Sequence, residues 1–186
     1  CKPNRKDPAM RRLILAAALM FPAAAFAAGS TDSTPPKPTE TTKVCKDGKI
    51  WDKKTKSCVN AQESRLDDDT RYAAVRELAY AGKYADALYV LAAMSDQSES
   101  RVLTYYGFNH RKAGRTDLGM QYYRAALKTD PDNLLARSYM GQGLVAAGDL
   151  EGARAQLAEI EARGGKWDWA GTSLRHAIRS GRTYSY

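Results

Sequence analysis

Three glycines recur at nearly equal spacing between residues 82 and 148. Gly82, Gly114 and Gly148 are separated by 32 and 34 residues, and each lies in a stretch with helical periodicity. A period of this length is typical of stacked supersecondary units, because a single unit cannot bury its apolar face alone. The sequence therefore predicts a repeat array and not one globular core.

The positions around these glycines repeat as well. Seven residues before them stand Val75, Gly107 and Gly141. A small residue lets two helices approach closely, and a large apolar residue fills the groove beside it. The residues five, nine and twelve positions after the glycines are Ala87, Gly119 and Ala153, then Leu91, Tyr123 and Leu157, then Met94, Ala126 and Ile160.

Pairs of antiparallel helices account for this pattern. Glycine can end the first helix of a pair, because the left-handed conformation costs it little. Thr116, Asp117 and Asp149 follow their glycines closely and are candidates for capping the second helix. Pro131 lies in the connection TDPDN, where a helix begins and the missing N–H does no harm. The sequence thus predicts helix–turn–helix units joined by short connections.

The array resembles the tetratricopeptide repeats, whose units are 34-residue helix pairs. Residues 100–133 match best, and they depart from the family pattern at Gly119, where alanine is preferred. Residues 68–99 depart further, with Val75 at a glycine position and no proline. The residues that carry the resemblance are Gly82, Ala87, Gly107, Gly114, Tyr123, Ala126, Pro131, Gly141, Gly148 and Ala153.

The resemblance implies an all-α solenoid. We expect about three repeats, at 68–99, 100–133 and 134–167, within a domain that spans 66–181. A last amphipathic segment, 168–181, is expected to form the C-terminal capping helix that a stacked array needs.

The resemblance also implies a partner-binding surface on the first helix of each pair. Arginines interleaved with aromatic residues are suited to an extended peptide or an acidic group. The alternative is that these side chains are ordinary solvated charges. The carried-over residues are Tyr72, Arg76, Tyr80, Arg101, Thr104, Tyr105, Phe108, Arg111, Lys112, Ser138 and Gln142.

The N-terminus predicts export. From Met10, two arginines precede an apolar run over 13–26 that ends in small residues suited to cleavage after Ala27. We interpret 10–27 as a signal peptide and 1–9 as an extension upstream of the start. An uncleaved membrane anchor is the alternative, but the run is shorter than the roughly 20 residues of a spanning helix. Membrane contact is therefore expected only in transit.

Export changes the meaning of the charge and the cysteines. Without residues 1–27 the chain keeps 24 basic and 20 acidic residues, so the net charge falls from +8 to +4 and nothing argues for nucleic acid. Cys45 and Cys58 remain, and an even pair in an exported protein predicts a disulfide. No histidines or second cysteine pair accompany them, as a zinc site would require.

The cysteines bracket a small segment, 44–60, which we call the knob. Asp47 and Gly48 predict a tight hairpin turn, because both positions of that turn need positive φ. Trp51 is expected to pack against the first repeat. The preceding Thr/Pro/Ser-rich residues 28–43 are predicted to be a disordered linker. The six lysines of the knob and its edge either keep it soluble or contact an anionic envelope surface.

No catalytic or metal site is expected. His110 and His176 fall on different predicted helices without a cluster of Cys or Glu, and the acidic run 67–69 suits a helix N-terminus. We therefore expect neither enzyme activity nor a cofactor. The sequence predicts a periplasmic, non-catalytic module, monomeric by preference, that binds a protein or peptide. The alternative is an envelope-associating protein whose knob contacts anionic polymer.

Overall fold

The computed structural model describes residues 35–183. The predicted signal peptide (10–27), the extension 1–9 and the first part of the predicted linker lie outside these residues. Eight helices and two strands are present in the described range: α1 Glu40–Lys43, β1 Ile50–Asp52, β2 Ser57–Val59, α2 Asp68–Tyr80, α3 Tyr84–Leu91, α4 Ser100–Lys112, α5 Thr116–Thr129, α6 Leu134–Ala146, α7 Leu150–Ala162 and α8 Trp169–Ser180.

The helices pack as consecutive pairs. α2 packs with α3, α4 with α5, and α6 with α7, and each pair also contacts the next. α8 follows the third pair and packs on both α6 and α7. The predicted fold class, an all-α array of helix pairs with a capping helix and a small disulfide-closed hairpin in front, is confirmed.

The turn inside each pair is made by the recurring glycine. Gly114 has φ +85° and a Cβ added there would meet no atom within 4 Å, so its role is conformational.

Of the predicted helix caps, one is present and two are not. Asp149 does cap α7, accepting from the Gly152 N–H at 2.8 Å. The prediction for Thr116 and Asp117 is wrong: α5 begins after Arg115 without a side-chain cap, and both residues lie in its first turn.

Gly107 has a different role, because it allows α4 and α5 to touch. A Cβ at Gly107 would lie 2.5 Å from Cε1 of Tyr123, whose ring is fully buried. We expect Gly107→Ala to lower the free energy of unfolding by roughly 1–3 kcal/mol, the usual cost of overpacking. Urea unfolding followed by circular dichroism measures it. Gly114→Ala is the comparison, with a loss of about 1–2 kcal/mol from backbone strain alone; an unchanged midpoint for Gly107→Ala would contradict the close packing.

The knob is stapled by a disulfide, but its hairpin is not the predicted one. Cys45 and Cys58 are bonded, and β1 pairs antiparallel with β2 so that Trp51 lies opposite Cys58. The hairpin turn is therefore 53–56, not Asp47 and Gly48. Those two residues do have the predicted positive φ, +55° and +68°, yet they form a turn that precedes β1.

The Asp52 side chain explains the position of the hairpin turn. Its carboxylate accepts from the Lys54 N–H at 2.8 Å and from the Thr55 hydroxyl at 2.9 Å. Such side-chain bonds to the following residues define a turn locally. They lower the pKa of Asp52 below its ordinary value, the Lys54 N–H contributing most.

The knob covers the first helix pair. Ile50 and Val59 are buried and belong to the same apolar cluster as α2 and α3. Trp51 is only half-buried, so its packing against the first repeat stays a prediction, and these two aliphatic residues supply the buried contact. Arg71 of α2 holds the segment that follows the knob, because it donates to the carbonyls of Ala61 at 2.8 Å and Glu63 at 3.0 Å.

The predicted linker is shorter than 28–43, because its last residues are ordered against α2. Thr39 caps α1, and the buried carboxylate of Glu77 accepts from the Thr39 N–H at 2.7 Å and the Thr42 N–H at 3.1 Å. Both threonine hydroxyls donate to the same carboxylate. A buried carboxylate needs such donors. α1 and its cap therefore satisfy the Glu77 carboxylate, and Glu77 in turn holds α1 against α2.

Candidate functional site on the inner helices

The first helices of the three pairs, α2, α4 and α6, share a continuous group of rings. We call Tyr72, Tyr80, Tyr105, Phe108 and Tyr139 the aromatic cluster. Ring centroids are 5.4 Å apart for Tyr72 and Tyr105, 5.8 Å for Tyr80 and Phe108, and 4.8 Å for Phe108 and Tyr139. These distances are those of favourable aromatic pairs. The cluster therefore joins all three repeats along their inner side.

The aromatic cluster spans from the first repeat directly to the third. The hydroxyls of Tyr80 and Tyr139, 59 residues apart in sequence, are hydrogen-bonded to each other. Tyr105, Phe108 and Tyr139 are fully buried. The array thus curves tightly enough that its inner side is filled by its own side chains.

Polar groups meet at the centre of the aromatic cluster. Burial raises the pKa of Tyr105, while the positive charge of the nearby Arg76 opposes that rise. The phenol of Tyr105 therefore stays protonated at neutral pH and remains a hydrogen-bond donor.

These positions change the interpretation of the predicted lining residues. Partner binding by them stays a prediction, but most of their side chains are buried and do not line an open groove. The reason is the size of the rings, which fill the space that smaller residues would leave. Tyr80, Arg101 and Lys112 are half-buried, whereas Tyr72, Arg76, Thr104, Tyr105, Phe108, Arg111, Ser138 and Gln142 are buried.

Some predicted residues have evident packing roles. The Thr104 hydroxyl donates to the Ser100 carbonyl at 2.7 Å, one turn back in α4. The Ser138 hydroxyl lies 3.1 Å from that of Ser173, which joins α6 to α8. These contacts stabilise helix packing, and they leave the charged residues as the better candidates for binding.

Arg101 is neutralised within the protein. It pairs with Asp69 at 2.7 Å and with Glu99, and its guanidinium lies 4.9 Å from the centre of the Tyr72 ring. Burial lowers the pKa of Arg101, but the two carboxylates outweigh this and raise it. Because two carboxylates already neutralise Arg101, it would attract an acidic partner only weakly.

Arg111 and Lys112, at the end of α4, form a second group that we call the cationic pair. Arg111 is 8% exposed; its Nε donates to the Tyr123 hydroxyl at 3.3 Å, and its Nη2 has no hydrogen-bond partner among residues 35–183. Both cations lie 6.0 Å from the ring centre of Phe108.

No carboxylate lies within 4 Å of either cation in the part of the chain that the structure describes. Six other arginines do have such partners: Arg65, Arg71, Arg101, Arg137, Arg163 and Arg175. Burial and then the charge of Arg111 lower the pKa of Lys112. The cationic pair is therefore a concentration of positive charge that the described protein does not balance.

Two glycines make room for Arg111. A Cβ at Gly119 would lie 2.9 Å from the Cβ of Arg111, and one at Gly143 would lie 3.0 Å from its Cδ. Gly119 is the position where the sequence departs from the alanine of the family pattern. That departure, together with Gly143 inside a helix, is the sequence signal that points to the buried arginine.

The histidines take part in ordinary contacts. His110 stacks on Tyr122 at 5.3 Å and accepts from Arg115 Nε at 2.8 Å. Burial, followed by the charge of Arg115, lowers the pKa of His110. Across residues 35–183 no group of three His, Cys, Asp or Glu residues could hold a metal ion. Within the same residues no helix has the length and apolar character needed to cross a membrane.

Comparison with known proteins agrees with the repeat geometry. The family model for the tetratricopeptide repeat matches residues 110–170, from the end of α4 to the start of α8. No curated protein and no solved structure matches the chain. The matched part includes Arg111, Lys112 and both glycines that make room for Arg111.

Proposed function

We propose that this chain, which carries tetratricopeptide repeats, is a non-catalytic module that binds a protein or peptide in the periplasm through its inner helices. Repeats of this family mediate protein–protein interaction, and the export signal expected at 10–27 supports the compartment. The observation that carries the proposal is the cationic pair, whose charge has no carboxylate partner among the described residues.

The chemistry of the cationic pair favours an acidic side chain on the partner. Charge-assisted hydrogen bonds between a cation and a carboxylate are roughly twice as strong as neutral ones. Lys112 is half-buried and stands at the edge of the buried Phe108 ring. A partner carboxylate that reaches Lys112 meets a cation already half withdrawn from water, where the low local dielectric strengthens the new ion pair.

Lys112→Gln tests this proposal with little risk to the fold. The probe is a fluorescein-labelled set of ten-residue peptides, each with one central glutamate and a glutamine twin. We expect the tightest glutamate peptides to bind the wild-type chain 28–186 better than their twins, and Lys112→Gln to lose about tenfold in affinity, equal to about 1.4 kcal/mol. Fluorescence anisotropy measures the dissociation constants.

Arg124→Gln is the matched control, because Arg124 is an exposed cation on α5 and outside the inner helices. Its affinity should stay within about twofold of the wild type. Equal binding of glutamate peptides and their glutamine twins, or equal losses in both variants, would contradict binding at the cationic pair.

A second candidate function rests on the knob. Lys43, Lys46, Lys49, Lys53, Lys54 and Lys56 are all exposed, and Asp52 is already paired with Arg65 at 3.3 Å. An envelope-associating protein would use these lysines against anionic polymer. Sedimentation with isolated envelope tests it: binding should be lost at high salt and on removal of 44–60, with Lys112→Gln unchanged.

A further inference from the structure

The connection between α7 and α8 exposes a tryptophan. Trp167 is 78% exposed, the highest value among the large apolar residues of the described chain. Trp169, two residues later, packs inside the array, with its ring centroid 5.8 Å from that of Tyr139. The other exposed ring, Tyr89, has hydrogen bonds to Asn60 and Gln62 in the knob. Trp167 has no comparable structural role on the protein.

Two cations lie close to the Trp167 ring. Lys166 Nζ lies 5.1 Å and Arg175 Cζ 5.9 Å from the ring centre, both within cation–π range. Arg175 is fixed in turn by Glu161 at 2.6 Å and by the Lys166 carbonyl at 3.0 Å. The tryptophan is therefore presented at a defined place rather than on a loose loop.

The outward side of α8 continues this positive charge. Arg179 lies one turn after Arg175 and is exposed, and Arg182 follows just beyond the helix. Asp168 is the one acidic residue within 166–183, against the basic residues Lys166, Arg175, Arg179 and Arg182. We call Lys166, Trp167, Arg175, Arg179 and Arg182 the C-terminal surface. It lies on the last element of the array, at the opposite end from the knob.

The charge of this surface limits what can cover it. A second copy of the chain is disfavoured, because its C-terminal surface and its knob are both basic, and like charges brought together across an interface are costly. A lipid surface is disfavoured as well: an interfacial helix needs an apolar face, and on α8 the apolar residues Ala170, Leu174 and Ala177 are buried in the array. An acidic protein segment fits both the charge and the single exposed ring.

We propose that the C-terminal surface is a second docking site, for an acidic segment of a partner protein that packs an apolar residue on Trp167. Tryptophan and arginine are the residues that most often dominate the energy of protein interfaces. The carboxylates of the segment pair with Arg179 and Arg182, which form no ion pair within residues 35–183. This site is separate from the cationic pair, so an experiment can contradict one binding proposal and leave the other standing.

The test uses the chain 28–186 and a fluorescein-labelled twelve-residue peptide of glutamate and leucine, with a glutamine-for-glutamate twin. We expect the acidic peptide to bind and its twin not to bind. Trp167→Ala should lose about tenfold or more in affinity, and Arg179→Gln about three- to fivefold, with a weaker salt dependence. Binding should also shift the tryptophan emission to shorter wavelength, and Trp167→Phe should abolish that shift.

Leu150→Ala and Arg154→Gln are the matched controls, since both side chains are exposed on α7. Both should keep wild-type affinity for this peptide. Wild-type binding by Trp167→Ala overturns the proposal, as does equal binding of the twin peptide. Tighter binding to phosphatidylglycerol vesicles than to the peptide overturns it in favour of a lipid surface.

Discussion

Phe108→Ala is expected to lower the free energy of unfolding by about 3–5 kcal/mol, the usual cost of removing a buried phenylalanine ring. Phe108 is fully buried and contacts rings from all three repeats: Tyr80 at 5.8 Å, Tyr105 at 6.0 Å and Tyr139 at 4.8 Å. Rigid rings of this size cannot collapse into the space left behind. A cavity therefore remains at the centre of the array.

Thermal and urea unfolding measure this effect. A loss of 3–5 kcal/mol corresponds to a melting temperature lower by roughly 6–20 °C for a domain of this size. Leu150→Ala is the control, because Leu150 is 37% exposed, and it should cost less than about 1 kcal/mol. A single cooperative transition is expected in both variants, since Phe108 joins the repeats. A melting temperature equal to that of Leu150→Ala would contradict the buried aromatic cluster.

The helix pairs were predictable because their signals are local. Gly82, Gly114 and Gly148 mark turns that need a left-handed residue, and each does adopt positive φ. The apolar positions between them repeat with the helical period. Such features depend on neighbours a few residues away, which a sequence displays directly.

The closed inner side was not predictable, because it depends on the curvature of the array. The contact between Tyr80 and Tyr139 joins residues two repeats apart. Helical periodicity places both on inner helices, but it does not state how sharply successive pairs rotate. Lining positions carried over from the family assume an open groove. Large rings at those positions replace the groove with a packed cluster.

The knob shows an intermediate case. Positive φ at Asp47 and Gly48 followed from residue type alone, whereas the strand partners did not. Two turn signals compete within a few residues, and the carboxylate of Asp52 places the hairpin at the second one. Deciding between them requires knowing that Ile50 and Val59 are both drawn into the core beside α2 and α3.

The cationic pair was named from the family resemblance, but its significance comes from the structure. Sequence alone cannot distinguish Arg101, which has two carboxylate partners, from Arg111, which has none among the described residues. The difference depends on which side chains meet across helices. Gly119 and Gly143 are the local hints, because a methyl group at either position would displace Arg111.

Replacing both Cys45 and Cys58 with serine is expected to lower the free energy of unfolding of the knob by about 3 kcal/mol, the loop-entropy value for a bridge of this span. The two cysteines are 13 residues apart. The bridge ties the end of α1 to β2, and the hairpin has only three residues in each strand. A two-stranded hairpin of this size is marginal without further support.

The location of the loss distinguishes this effect from that of Phe108→Ala. Hydrogen exchange should show faster exchange at the Trp51 and Cys58 backbone amides and in α1, while α4–α7 keep their protection, because the repeats do not depend on the bridge for their own packing. Reducing agent should reproduce the change in the wild type and have no effect on the double serine variant. Free thiols at Cys45 and Cys58 in the mature protein, or an unchanged knob after reduction, would show that apolar burial of Ile50 and Val59 suffices to hold it.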